Sequence, residues 1–194
     1  MKQLKKILII IPFFIISCTS VKYIKDYEPI NVFLETQKID KNKKHILQID
    51  KAPNKQTLRI FNRKEGAEHF VDPTDTIDYT DGLFVEKHWK KMYKKYAKDT
   101  IKKYWAKEDF PSYDFILEDG KGLFKYDFEM RHLGARFQEA TIISEPIYYM
   151  NREYIMFYFS KLYSIGGGKS STVIMKREKE KWIVVRIIGD YVYY

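Results

Sequence analysis

Between residues 85 and 98 the chain reads VEKHWKKMYKKYAK. At about 100° per residue Val85, Trp89, Met92 and Tyr96 fall on one arc, while Lys87, Lys90, Lys91, Lys94, Lys95 and Lys98 fall on the other. That segregation predicts an amphipathic helix with one face in a core and a lysine face in water. The phase slips after Asp99, because Ile101 and Trp105 would land on the lysine side of a straight continuation. A bend or a fresh short helix at Asp99-Thr100 is expected, with the helical region ending at Pro111. EPINVFLETQ (28–37) predicts a second helix: Pro29 suits its first turn, and Ile30, Phe33, Leu34 and Gln37 share a face. HILQI (45–49) and TLRIF (57–61) are short apolar runs separated by DKAPNKQ with its Pro-Asn turn signal, and predict two strands.

From Ala140 onward the period changes. ATIISEPIYYM, YIMFYFSKLY, STVIMKR and WIVVRII are rich in β-branched and aromatic residues, as a half-buried pleated surface favours. They are joined by Asn151-Arg152, a glycine run and the charged tip EKEK, and connections this short predict an antiparallel meander. The second and last of these runs are apolar at consecutive positions, which predicts central positions in the sheet or burial on both faces. FILEDGKGLFKYDF (115–128) carries Asp119-Gly120 between apolar runs, a hairpin signal. The expected fold is therefore α+β, with helices, chiefly 85–98, packed on an antiparallel C-terminal sheet formed mainly by residues 139–189. Helix followed by curved sheet resembles the cystatin-like and NTF2-like folds, a likeness of order alone that implies no activity.

The N-terminus changes the picture most. In MKQLKKILIIIPFFIISC, Lys2, Lys5 and Lys6 precede an apolar stretch from Ile7 to Ile16, the pattern of an export signal. That stretch, broken by Pro12, is shorter than the ~20 residues a spanning helix needs. Ile15-Ile16-Ser17-Cys18 then resembles the lipobox of bacterial lipoproteins. The resemblance implies that Cys18 is diacylglycerylated, that the chain is cut before it, and that the new amine is acylated. It divides the chain into a signal peptide (1–17), a lipidated cysteine and tether (18–27) and one α+β domain (28–194). Cys18 is the only cysteine, so no internal disulfide competes for it. Two or three acyl chains, at ~0.8 kcal/mol per buried methylene, hold a protein on a membrane where one alone barely does. Thr19 stands where aspartate would, in some bacteria, retain a lipoprotein in the inner membrane, so the outer membrane is the expected home.

Composition fits one folded domain: 194 residues, 45% apolar and 31% charged. Of 35 basic residues three leave with the signal peptide, so 32 face 26 acidic ones in the mature chain. With the lysine helix, that excess points to an anionic membrane surface or an envelope protein as partner, and an envelope location argues against nucleic acid.

Candidate chemistry is sparse. SIGGGKSS (164–171) looks like the end of a phosphate-binding loop, but the position six residues before Lys169 is Tyr163 rather than glycine. SSTVIM after it reads as a strand, so Gly166 to Gly168 are expected to turn the chain with positive φ angles. Asp72, Asp75, Asp78 and Asp81 recur every three residues without calcium-loop spacing; capping of the next helix by the final Asp-Gly is the expected role. His45, His69, His88 and His132 have no ligand spacing, no GxSxG is present, and the pairs Glu108-Asp109 and Glu118-Asp119 are adjacent only in sequence. The sequence calls for no catalytic residue, metal or cofactor. It points to a non-catalytic envelope binding module, with Tyr191, Tyr193 and Tyr194 as a candidate contact patch. The alternative is a small-molecule-binding or hydrolytic domain with a pocket in its curved sheet.

Overall fold

A computed structural model describes residues 27–41, 44–62, 78, 80–124, 131, 139–163 and 168–190. In chain order the principal elements are α1 (Glu28–Thr36), β1 (His45–Gln48), α2 (Asn54–Asn62), α3 (Glu86–Tyr96), β2 (Phe115–Glu118), β3 (Glu139–Ile143), β4 (Ile147–Tyr149), β5 (Tyr154–Tyr163), β6 (Gly168–Glu178) and β7 (Lys181–Asp190). The strands form one seven-stranded sheet in the order β2-β1-β3-β5-β6-β7, with β4 also paired to β5. The fold is α+β, and its C-terminal strands form the antiparallel meander that their composition predicts, without closing into a barrel.

Helices cover both faces of this sheet. On one side Ile30, Phe33 and Leu34 of α1 pack on Ile155, Phe157, Phe159, Val173 and Met175. On the other, Leu58, Ile60 and Phe61 of α2 and Trp89, Met92 and Tyr96 of α3 pack on Met156 and Ile174. Successive β5 residues therefore enter different cores, which is why YIMFYFSKLY lacks a polar alternate. The last strand departs from expectation. β7 is an edge strand, and Ile183, Val185 and Ile187 remain 39%, 39% and 48% exposed. A bulge at the Ile174/Met175 step shifts its alternation, so Val184 joins one core and Ile188 the other.

A further expectation is corrected. Residues 57–61 are helical, because Asn54, Thr57, Leu58 and Phe61 recur at three- and four-residue steps on one buried face. Pro53 stands just before the helix, where its missing N–H costs no hydrogen bond, and the Trp89 indole donates to the Leu58 carbonyl at 3.0 Å. The hairpin expected at Asp119-Gly120 falls only in part within the described residues. The turn exists, with the Lys121 and Gly122 amides donating to Asp119, but β2 pairs in parallel with the distant β1, His45 opposite Phe115. Residues 125–128, the expected return strand, lie outside the described residues.

No helix follows α3 directly: it closes at Tyr96, a turn at Ala97-Lys98 follows, and residues 99–103 are in neither helix nor strand. Ile101 is 75% exposed, while Trp105 is buried in the core on the opposite side of the sheet from α3. A single 3₁₀ turn at Lys107–Asp109 precedes Pro111. Gly168 lies in β6 outside the positive-φ region, contrary to expectation. Its requirement is steric, since a Cβ there would sit 2.8 Å from the Lys161 carbonyl oxygen across the β5–β6 ladder. Gly166 and Gly167 fall outside the described residues.

Candidate functional site

The six lysines of the amphipathic pattern are all exposed, five on α3 and Lys98 just past its end, as the periodicity predicts. The structure divides them. Lys90 is paired to Glu86 one turn earlier at 2.8 Å. Lys91 and Lys95 flank the apolar arc, and together with His88 they form one wall of a cavity of about 360 Å³. Lys87, Lys94 and Lys98 lie outside it.

The opposite wall is the β4–β5 hairpin, with Tyr148 and Arg152. The Arg152 guanidinium carbon sits 5.4 Å from the centre of the Tyr148 ring, and Lys95 Nζ 4.8 Å from that of Tyr96. Among the described residues no carboxylate lines this cavity, so three cations face it without a resident counter-charge. The hairpin is unusual in its backbone. Met150, Asn151 and Arg152 take φ of +45°, +55° and +76° in succession, and only asparagine visits that region with ease. The neighbouring Tyr149–Tyr154 pair and a Glu153-to-Met150 amide bond of 3.1 Å hold the turn. Strained left-handed residues persist where the surroundings over-determine them, and they concentrate at ligand sites. In the sequence, Asn151-Arg152 reads only as a turn, and nothing there foretells that the arginine meets the lysine helix.

A second charged cluster is buried. β1 and β3 are parallel neighbours, and the Ala52–Ser144 bridge continues their pairing, so the residues just past their ends, Lys51 and Glu145, lie side by side. The Asp50–Tyr104 bridge and the Lys51 amide bond to the Lys103 carbonyl bring in the segment after α3. Glu145 accepts from Lys51 at 3.1 Å on one oxygen and from Lys103 at 2.9 Å on the other. Lys103 also reaches Asp99 at 3.1 Å. Lys51 donates to the Tyr27 hydroxyl at 2.8 Å, and its ammonium lies 4.1 Å from the Trp105 ring centre. Burial pushes the Tyr27 phenol above its ordinary pKa, opposed in part by the Lys51 hydrogen bond and charge. A cavity of about 290 Å³ opens beside this cluster.

Two lysines meet two carboxylates here, and both oxygens of Glu145 are occupied. That is the chemistry of a clamp joining four chain segments, with no acceptor set aside for an incoming proton. Positions 27, 51, 99, 103 and 145 carry no spacing signal, so sequence reasoning misses the cluster entirely.

Asp78 and Asp81, the described members of the aspartate series, play a different part from helix capping. α3 begins at Glu86 with Val85 as its cap residue and no side-chain cap bond. Instead Asp78 organises the loop ahead of it, accepting from the Thr80 hydroxyl at 2.6 Å and from the amides of Thr80 and Gly82 at 2.8 and 2.7 Å. Asp81 pairs with Arg186 of β7. The Thr80 hydroxyl bond first, then those two amide bonds, hold the Asp78 carboxyl below its ordinary 3.8. A lowered native pKa gives a stabilisation that is complete above the ordinary value and lost as pH falls through the native one. The Thr80 and Gly82 amide resonances are therefore expected to shift together in an acid titration below pH about 4, and to show no such step in Asp78→Ala.

Asp72, Asp75, His69, His132, Cys18, Tyr191, Tyr193 and Tyr194 lie outside the described residues. His45 hydrogen-bonds the Asp40 carbonyl at 2.8 Å, far in sequence and role from His88 in its cavity. Glu118 is taken by Arg131, and Asp109 accepts from the Ala106 amide. Among the described residues no group of three or more His, Cys, Asp or Glu side chains could hold a metal ion, and no helix is long and apolar enough to cross a membrane. Compared with protein-family models, with curated proteins and with solved structures, the chain matches none.

Proposed function

We propose that this chain is a bacterial envelope lipoprotein, tethered through a diacylated Cys18, that serves as a non-catalytic binding module. The lysine face of α3 is its contact with an anionic surface. The observation that carries this reading is the division of labour on α3. Trp89, Met92 and Tyr96 are consumed by the core, whereas all six lysines remain exposed and only Lys90 has a carboxylate partner on its own helix. A tether of about ten residues keeps such a face near the headgroups, where each lysine contributes ~1 kcal/mol against an anionic leaflet.

Among the described residues the three core clusters lie between Tyr27 and Ile188, so the mature chain from residue 18 contains them all without its lipid. Purified in the Cys18→Ser form, it is expected to float with phosphatidylglycerol vesicles at low ionic strength and to dissociate at high salt. It is expected to ignore zwitterionic phosphatidylcholine vesicles under both conditions. Lack of flotation at low salt removes the surface contact.

A further inference from the structure

Resting on the surface contact just described, we infer that the cavity between α3 and the β4–β5 hairpin is a specific phosphate-ester site, and that its ligand is the phosphate of an anionic lipid headgroup. Three observations meet at one place. Lys91 and Lys95, one helical turn apart, face Arg152 from the opposite wall, and His88 adds an imidazole beside them. No carboxylate among the described residues lines the cavity, in contrast to the buried cluster at Glu145, where every lysine meets an acid. Cations gathered without counter-charge repel one another until an anion binds. Arg152, finally, is delivered by a turn with three consecutive positive φ angles, a conformation that glycine would adopt without strain.

The chemistry of the walls selects the ligand class. A guanidinium offers a planar fork of donors matched to phosphate oxygens, and two ammonium groups neutralise the rest of the charge. Tyr148 braces the guanidinium from one side. Met92 and Met150 give the same cavity an apolar flank, suited to the glycerol and first methylenes of an amphiphile rather than to a bare ion. At about 360 Å³ the space admits a headgroup and excludes a folded macromolecule. The geometry thus converts part of a diffuse lysine face into a stereospecific contact, with Lys91 and Lys95 inside it and Lys87 and Lys94 outside.

The test uses the mature chain in its Cys18→Ser form, isotope-labelled for NMR, titrated with glycerol 3-phosphate and separately with inorganic phosphate. Saturable shifts are expected at His88, Tyr148 and Arg152. Lys91→Gln/Lys95→Gln and Arg152→Gly are each expected to weaken glycerol phosphate binding about 10-fold or more, whereas Lys87→Gln/Lys94→Gln, with the same charge loss as the first pair, changes it less than about 2-fold. Arg152→Gly is also expected to keep or raise the unfolding midpoint, because glycine relieves the turn; lost binding without lost stability separates recognition from folding. Flotation then separates the sources. Weaker binding of Arg152→Gly to phosphatidylglycerol vesicles assigns the site to a lipid headgroup, and unchanged flotation assigns it to a free phosphate ester. Absence of saturable binding, or equal losses in the inner and outer lysine pairs, overturns the site. The second result leaves the general lysine surface standing, and failure of vesicle binding with saturable phosphate binding intact removes that surface while keeping the site.

Discussion

Truncation of Glu145 to alanine is expected to lower the stability of the fold by about 3–5 kcal/mol, measured as a fall in the denaturant midpoint at unchanged slope. Its side chain is only 9% exposed and that of Lys51 only 8%, so removing the carboxylate leaves a buried ammonium against the Trp105 ring with no anion beside it. Lys103, at 27% exposure, retains Asp99 and suffers less. The consequence reaches beyond one bond, because Glu145 joins the end of β3 to the segments after β1 and after α3. Replacing the whole set, with Lys51→Met, Glu145→Leu and Lys103→Met together, is expected to restore most of the loss, since an apolar cluster of like volume has no charge to desolvate. A single Glu145→Ala cost under about 1 kcal/mol would show that water screens these charges and that the clamp contributes little.

Phe157→Ala is expected to cost a comparable amount, about 3–5 kcal/mol, by a different mechanism. Phe157 is fully buried at the middle of β5, opposite Val173 of β6, with its ring edge-on to Phe33 of α1 at 5.4 Å. Removing the ring leaves a void that α1 and the sheet can close only in part, and domains of this size have about 5–15 kcal/mol in total. Ile187→Ala, 48% exposed on the edge strand, is the matched control and is expected to change stability by well under 1 kcal/mol. Similar losses at the two positions would contradict the placement of β5 at the centre and β7 at the rim.

What the sequence reveals and what it conceals follow a physical line. α1, α3 and the meander are legible because their signals are local: a lysine arc against Trp89, Met92 and Tyr96, or runs of β-branched residues with short turns between them. The EKEK tip behaves as such a signal should, turning through Lys179 and Glu180 at positive φ between paired Glu178 and Lys181. TLRIF is five residues long, and a run that short fits a strand and a buried helical turn equally well. Its fate was decided by Trp89 and Thr172, which bond the Leu58 and Thr57 carbonyls from elsewhere in the fold. The pairing of β2 is hidden for the same reason, its partner lying about seventy residues away in the parallel β1.

The candidate sites divide along that line too. Half of the cationic cavity, His88, Lys91 and Lys95, stands in plain view on one helix; Arg152 arrives through a hairpin whose left-handed turn has no glycine to announce it. The Glu145 cluster draws on four separate stretches and is created by topology alone, through the parallel pairing of β1 with β3.

Everything proposed for the lysine face depends on the tether that holds it near headgroups. Intact-mass and N-terminal fragment analysis of the chain purified from the membranes of a bacterial host tests that tether most directly. The expected product begins at Cys18, residues 1–17 removed, and carries a diacylglyceryl thioether with a further acyl group on its amine. A product that begins at any other residue, or a Cys18 with an unmodified thiol, would contradict the lipoprotein assignment.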